Sequence, residues 1–212
     1  MANPLIQLEA LSCERDERVL FSGLDLSVFA GDVIQIEGPN GSGKTTLLRV
    51  LTTTSADFSG EIRWLGQPLS KARLDYLNNL LYIGHLPGIK KGLTPGENLR
   101  WFCGLNQGHQ RMSMEEALAA VGLAGYEDVP CYQLSAGQNR RVALARLYLT
   151  PARVWILDEP FTAIDKQGVA NLEKLMAEHA AGGGCVLLTT HQELDLAGVR
   201  KVNLLGYRQV RS

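Results

Sequence analysis

Hydrophobic positions in the first third of the chain alternate with polar ones in short runs. Residues 5–9, 24–29, 33–37 and 60–64 each put every second side chain on one face, the period of a half-buried strand. Polar or glycine-containing stretches, ERDER at 14–18 and AGD at 30–32, separate them. From Thr94 to about Gly122 the apolar spacing lengthens to that of a helix, through ENLRWFCGL and MSMEEALAAVGL, with Ser113 and Glu116 spaced as a capping box. After Tyr132 helical and strand patterns take turns: QNRRVALARLYL, VWILD, VANLEKLMAEHA and CVLLTTH. Near-continuous apolar strands between helices predict a parallel sheet covered on both faces. The expected fold class is α/β, a nucleotide-binding core with a small antiparallel β subdomain and an inserted helical subdomain at about 86–133. All 212 residues are read as one domain.

Between the strand at 33–37 and the helical run that begins near Thr46 lies GPNGSGKT. This is the strand, turn and helix context in which a glycine-rich loop wraps a phosphate. The residues assigned to it are Gly38, Pro39, Asn40, Gly41, Ser42, Gly43, Lys44, Thr45 and Thr46. Glycines let the backbone approach the anion, and the N-terminus of the helix attracts negative charge. Lys44 is expected on the β- and γ-phosphates, and the Thr45 hydroxyl on Mg²⁺. A nucleoside triphosphate, ATP, with Mg²⁺ is the implied ligand.

Two acids end the strand VWILD. Asp158 at its carboxyl end is placed to hold the Mg²⁺ shell, and Glu159 to orient or deprotonate an attacking water. His191 follows the second apolar strand, which should lie beside the one carrying Asp158, so it is assigned to the γ-phosphate or to the water. His85, His109 and His179 lack such placement and are read as solvated or packing residues. LSAGQ at 134–138 opens another helix. Ser135, Ala136, Gly137 and Gln138 form a second anion-binding turn, with Ser135 also readable as a plain helix cap. One ATP does not need two such turns. The physical solution is a head-to-tail homodimer in which this turn completes the phosphate loop of the partner.

Composition narrows the partners. A formal net charge of −1 and the lack of a Lys or Arg run leave no polybasic surface, so no nucleic-acid partner is expected. The apolar stretches are far shorter than a bilayer span, and MANPLIQLEA does not read as a signal peptide, which points to a cytosolic chain. The four cysteines, Cys13, Cys103, Cys131 and Cys185, have no CxxC spacing and are expected to be reduced packing residues.

Together these residues resemble the ATP-binding cassette (ABC) ATPases over essentially the whole chain. GPNGSGKT resembles Walker A, VWILDE the Walker B strand with its glutamate, LSAGQ the ABC signature, TAID with Asp165 the D-loop, and His191 the switch histidine. CERDERVLFSGL at 13–24, YIGHLPGIK at 82–90, ILDEPFTAID at 156–165 and LTTHQ at 188–192 resemble one subfamily, the ATP-binding subunits of cytochrome c maturation complexes. That resemblance implies a peripheral protein on the cytoplasmic face of the bacterial inner membrane, bound to integral membrane subunits of that complex. It implies ATP hydrolysis that serves haem export and the release of a haem-loaded periplasmic chaperone, with no haem bound directly by this chain. Trp101 and Phe102 are the candidate docking residues for the membrane subunits, or else helix core.

Two positions depart from the pattern. The subfamily has GHQPG where this chain has GHLPG, and Leu86 can neither ligate Mg²⁺ nor hold water. Slow hydrolysis, a replaced contact or an altered position each account for it. The adenine-stacking aromatic of many ABC ATPases is replaced by Arg15, which together with Arg18 is either a guanidinium platform or solvated charge. The alternatives to the leading reading are the ATPase of another ABC importer or exporter, and a low-activity nucleotide-binding regulatory scaffold.

Overall fold

The computed structural model describes residues 3–15, 18–105 and 111–207. Its strands are β1 (Ile6–Arg15), β2 (Arg18–Val28), β3 (Val33–Glu37), β4 (Ser59–Trp64), β5 (Gln67–Pro68), β6 (Leu80–Ile83), β7 (Val154–Asp158), β8 (Cys185–Thr189) and β9 (Arg200–Asn203). Its helices are α1 (Lys44–Leu51), α2 (Leu69–Asn78), α3 (Pro95–Leu105), α4 (Met114–Ala120), α5 (Ala136–Leu149) and α6 (Lys166–Ala181). His109 lies outside the described residues.

The strands sort into two sheets by the chemistry of their faces. β1, β2, β4 and β5 form an antiparallel sheet in the order β2-β1-β4-β5, and their alternating burial matches a sheet with one wet face. β7 and β8 are buried at every position, as the apolar runs require, and sit inside a five-stranded parallel sheet ordered β6-β7-β8-β3-β9. β3 departs from its alternating appearance: Gln35 is as buried as its apolar neighbours, 4% exposed, because both faces of the sheet are covered, Val33 packing with Trp155 and Met176 on its face and Ile34 and Ile36 in the other cluster.

Helix α5 joins the layers. Ala143, Leu144 and Leu147 pack into the cluster that includes Trp155 and Leu157 of β7, while Val142, Ala145 and Leu149 pack with Leu99, Leu118 and Leu123 of the helical region. Covered on both sides, α5 buries even Asn139, Arg140 and Arg146. Burying a guanidinium without partners is costly, so both arginines need acceptors for their terminal N–H groups. Arg146 donates to the Gly88 carbonyl at 2.9 Å and lies 4.9 Å over the Phe102 ring. Phe102 is thereby committed to packing, whereas Trp101 stays 45% exposed under the Lys90 ammonium.

The capping box expected at Ser113 is present, with Glu116 completing it. All four cysteines are buried free thiols. His179 is a packing residue, stacked 3.7 Å from the Trp155 ring, and burial pushes its pKa down to about 4.

Candidate functional site

β3 ends at Glu37, and the chain then turns through Gly38–Gly43 into α1. Gly43 occupies the cap position with φ 99, and a Cβ there would stand 3.0 Å from Leu20 and 3.1 Å from the Phe21 ring. Only glycine meets both demands. Because no side chain caps α1, its leading N–H groups are left to a ligand. Lys44 folds over the loop and donates to the Gly38 carbonyl at 2.5 Å and the Pro39 carbonyl at 3.3 Å. Ser42 is buried beneath, its amide donating to Pro39 O at 3.1 Å.

The parallel pairing of β7 with β8 brings the other motifs alongside. Asp158 stands opposite Thr189 in register, so a residue of each strand's carboxyl end reaches the same cavity mouth. Asp158 is 3% exposed, and the Thr189 hydroxyl donates to its Oδ1 at 2.7 Å. Glu159 follows with φ 50, a left-handed conformation that costs a non-glycine residue about 1–3 kcal/mol and is held by its surroundings. Its amide donates to Thr189 O and Oγ1, both at 3.1 Å. Its Oε1 lies 3.6 Å from Nε2 of the largely exposed His191.

These groups enclose a cavity of about 400 Å³ lined by the phosphate loop, by Lys44, Thr45 and Thr46, and by Asp158, Glu159 and His191. His85 lines it as well, and so does Thr162. His85 is exposed, as expected of a solvated histidine, and it stands at the rim of this cavity. β6 pairs with β7, so the loop after β6 is carried to the Asp158 end of the sheet. Leu86 lines a neighbouring cleft of about 730 Å³ that shares His85, Thr45 and Asp158 with the first cavity. His85 therefore borders both cavities, and Leu86 only the second. Arg15 and Arg18 face each other across the β1–β2 hairpin and do not line the cavity either.

Ser135, Ala136, Gly137, Gln138 and Asp165 are not brought to this cavity. Ser135 caps α5, accepting from Gln138 N at 3.1 Å while Gln138 Oε1 takes Ser135 N at 2.9 Å. Asp165 caps α6 through Gly168 N and pairs with Arg141 at 2.5 Å, and these two contacts, the backbone one foremost, hold its pKa below the usual carboxylate range. A Cβ on Gly137 would run into the carbonyl oxygen of Ala163, so the turn before α5 and the turn before α6 are packed backbone to backbone.

A phosphate loop, an acidic pair at a strand end and a histidine from the adjacent strand, set on this two-sheet frame, define an ABC-type ATPase. The chain belongs to the ABC transporter family, whose model matches residues 21–162. It is 55% identical over 206 residues to the cytochrome c biogenesis ATP-binding export protein CcmA of Pseudomonas fluorescens, covering 96% of this chain and 98% of that one. The CcmA of Escherichia coli K12 is 54% identical over 206 residues, with 96% and 98% covered. Among solved structures, an ABC transporter ATP-binding protein of Pyrococcus furiosus matches with a TM-score of 0.81 at 25% identity, over 96% of this chain and 99% of that one.

Proposed function

We propose that the chain is the ATP-hydrolysing subunit of a membrane ABC complex for c-type cytochrome biogenesis, powering haem export and release of the haem-loaded periplasmic chaperone. The observation that carries the hydrolytic reading is the convergence of Lys44, Thr45, Asp158, Glu159 and His191 on one cavity. The near-full-length likeness to CcmA proteins supports the specific role. No described helix is long and apolar enough to cross a membrane, which agrees with a peripheral subunit at the cytoplasmic face of the inner membrane, held there by integral membrane partners.

The loop amides and Lys44 bind the phosphates of ATP, with the α1 N-terminus adding a favourable field. The buried Asp158 carboxylate and the Thr45 hydroxyl are hard oxygen donors of the kind Mg²⁺ takes beside phosphate oxygens and waters, so these residues fit that ion. Bound there, Mg²⁺ would neutralise charge on the transferring phosphoryl oxygens. Glu159, with its backbone fixed by Thr189, takes the proton of the attacking water. His191 lies beside its carboxylate and orients it toward the γ-phosphate end.

The cavity of one chain lacks the signature turn, which supports a homodimer closing head to tail over two ATP molecules. Capping leaves the Ser135 hydroxyl able to donate one hydrogen bond, since it accepts from Gln138 N and keeps its own proton. Ser135 and Ala136 are exposed and available to a partner's γ-phosphate. The helical region at 86–133 would relay closure to the membrane subunits.

The test is ATP turnover by the chain alone and with its co-purified membrane subunits, compared with Glu159→Gln. The variant should bind ATP and lose at least about 100-fold in kcat. Turnover at the parent rate would remove the assigned base, and co-purification with an unrelated transporter would overturn the haem role.

A further inference from the structure

Arg140 lies in the second turn of α5, about 7.5 Å along the axis from the Ser135 cap. It is 4% exposed. Its guanidinium is surrounded by main-chain oxygens from two other segments. Nη2 donates to Asp158 O at 3.0 Å and to Glu159 O at 2.8 Å, and Nε donates to Pro160 O at 3.3 Å. Nη1 donates to Gly84 O at 2.7 Å and reaches His85 O at 3.5 Å.

Three successive carbonyls, 158 to 160, converge on one cation only because Glu159 adopts the left-handed conformation that curls the chain around it. The rigid fork of arginine suits such a cage, whereas an ammonium is a single point. The strained Glu159 unit is therefore gripped from both ends, its amide by Thr189 and its carbonyl by Arg140. The neighbouring residue of α5, Asn139, donates to the carbonyls of Cys131, Leu134 and Ser135. Adjacent side chains thus tie the signature turn to the helix and the helix to the acidic strand end.

We propose that Arg140 is a positioning residue for ATP hydrolysis: it locks the backbone of Glu159 and of the Gly84–His85 loop to the signature helix, setting the base and His85 at the cavity. This rests on the hydrolytic reading above. It goes beyond that reading by assigning the link between the signature turn and the base to one buried side chain.

The experiment compares Arg140→Gln and Arg140→Lys in the full chain, reading kcat, KM, ATP affinity and melting temperature. Arg140→Gln should lower kcat on the order of 100-fold, the scale of a misplaced catalytic group, with KM and ATP affinity within about twofold. Arg140→Lys keeps the charge and should recover about tenfold of that loss. A folded Arg140→Gln protein with parental kcat overturns the proposal, as does a parallel fall of kcat, affinity and melting temperature with no recovery in Arg140→Lys. Should the glutamine variant fail to fold, Arg140→Lys carries the test, and a parental kcat in it overturns the proposal. Hydrogen exchange separates this from failure of the hydrolytic reading itself. Even in a chain without turnover, the amides of Glu159 and Thr162 should exchange faster in Arg140→Lys while α1 is unchanged. Equal exchange at those amides overturns the proposal.

Discussion

Two turns in this molecule lead from a small-residue loop into a helix, and they are finished in opposite ways. The phosphate loop leaves α1 without a side-chain cap, so its N–H groups open onto a cavity with Lys44 folded across the rim. The signature turn closes α5 with a capping box and packs Gly137 against the Ala163 carbonyl. One is a receptacle. The other is a finished surface that presents a hydroxyl outward. The difference teaches that glycine-rich composition alone does not make a complete anion site: what matters is whether the helix N-terminus has already been satisfied within its own chain.

The comparison can be broken most directly at Lys44. Lys44→Ala should weaken ATP binding by about 10- to 100-fold, the worth of a charged hydrogen bond, in a titration with a fluorescent ATP analogue. Unchanged affinity would locate the anion elsewhere.

A pair of glycine substitutions sharpens the contrast. Gly43→Ala and Gly137→Ala should each destabilise by about 1–3 kcal/mol through close contacts, lowering the melting temperature by roughly 2–4 °C per kcal/mol. ATP should still raise the melting temperature of Gly137→Ala and should fail to raise that of Gly43→Ala. A reversed pattern would exchange the roles of the two turns.

Ser135 separates cap from contact. Ser135→Ala should cost about 1 kcal/mol of stability in denaturant unfolding, and Ser135→Asn, which keeps a capping oxygen, only a few tenths. Turnover should fall in both if the hydroxyl serves the partner's ATP. Full turnover in Ser135→Asn would reduce Ser135 to a cap.

The smallest expected effect is at His85. His85→Ala should leave stability within about 0.5 kcal/mol, as for other exposed positions, yet lower kcat severalfold. A parental rate would remove His85 from the working cavity.

Much of this was readable along the chain because the signals are local. GPNGSGKT carries its strand and helix beside it, and VWILD and CVLLT are apolar enough to require a covered parallel sheet. Other elements gave little local signal. β6 and β9 are four-residue strands, α2 is largely exposed with Tyr76 as its buried residue, and each takes its form from a neighbour. Within the cavity, Thr189 looks like any threonine until β7 sets it opposite Asp158. His85 gains its place only when β6 pairs with β7.

The order of residues by itself determined the chemistry on offer: a phosphate loop, an acidic strand end, a histidine and a second helix-opening turn, each defined within a few neighbouring positions. Tertiary structure decided which of them meet. Strand register put Asp158, Glu159 and His191 at the loop, and burial of α5 on both sides forced Arg140 to spend its donors on the backbone of Glu159. It also kept Ser135 away from the cavity of its own chain. Distances between segments far apart in sequence are set by packing, and no local pattern encodes them.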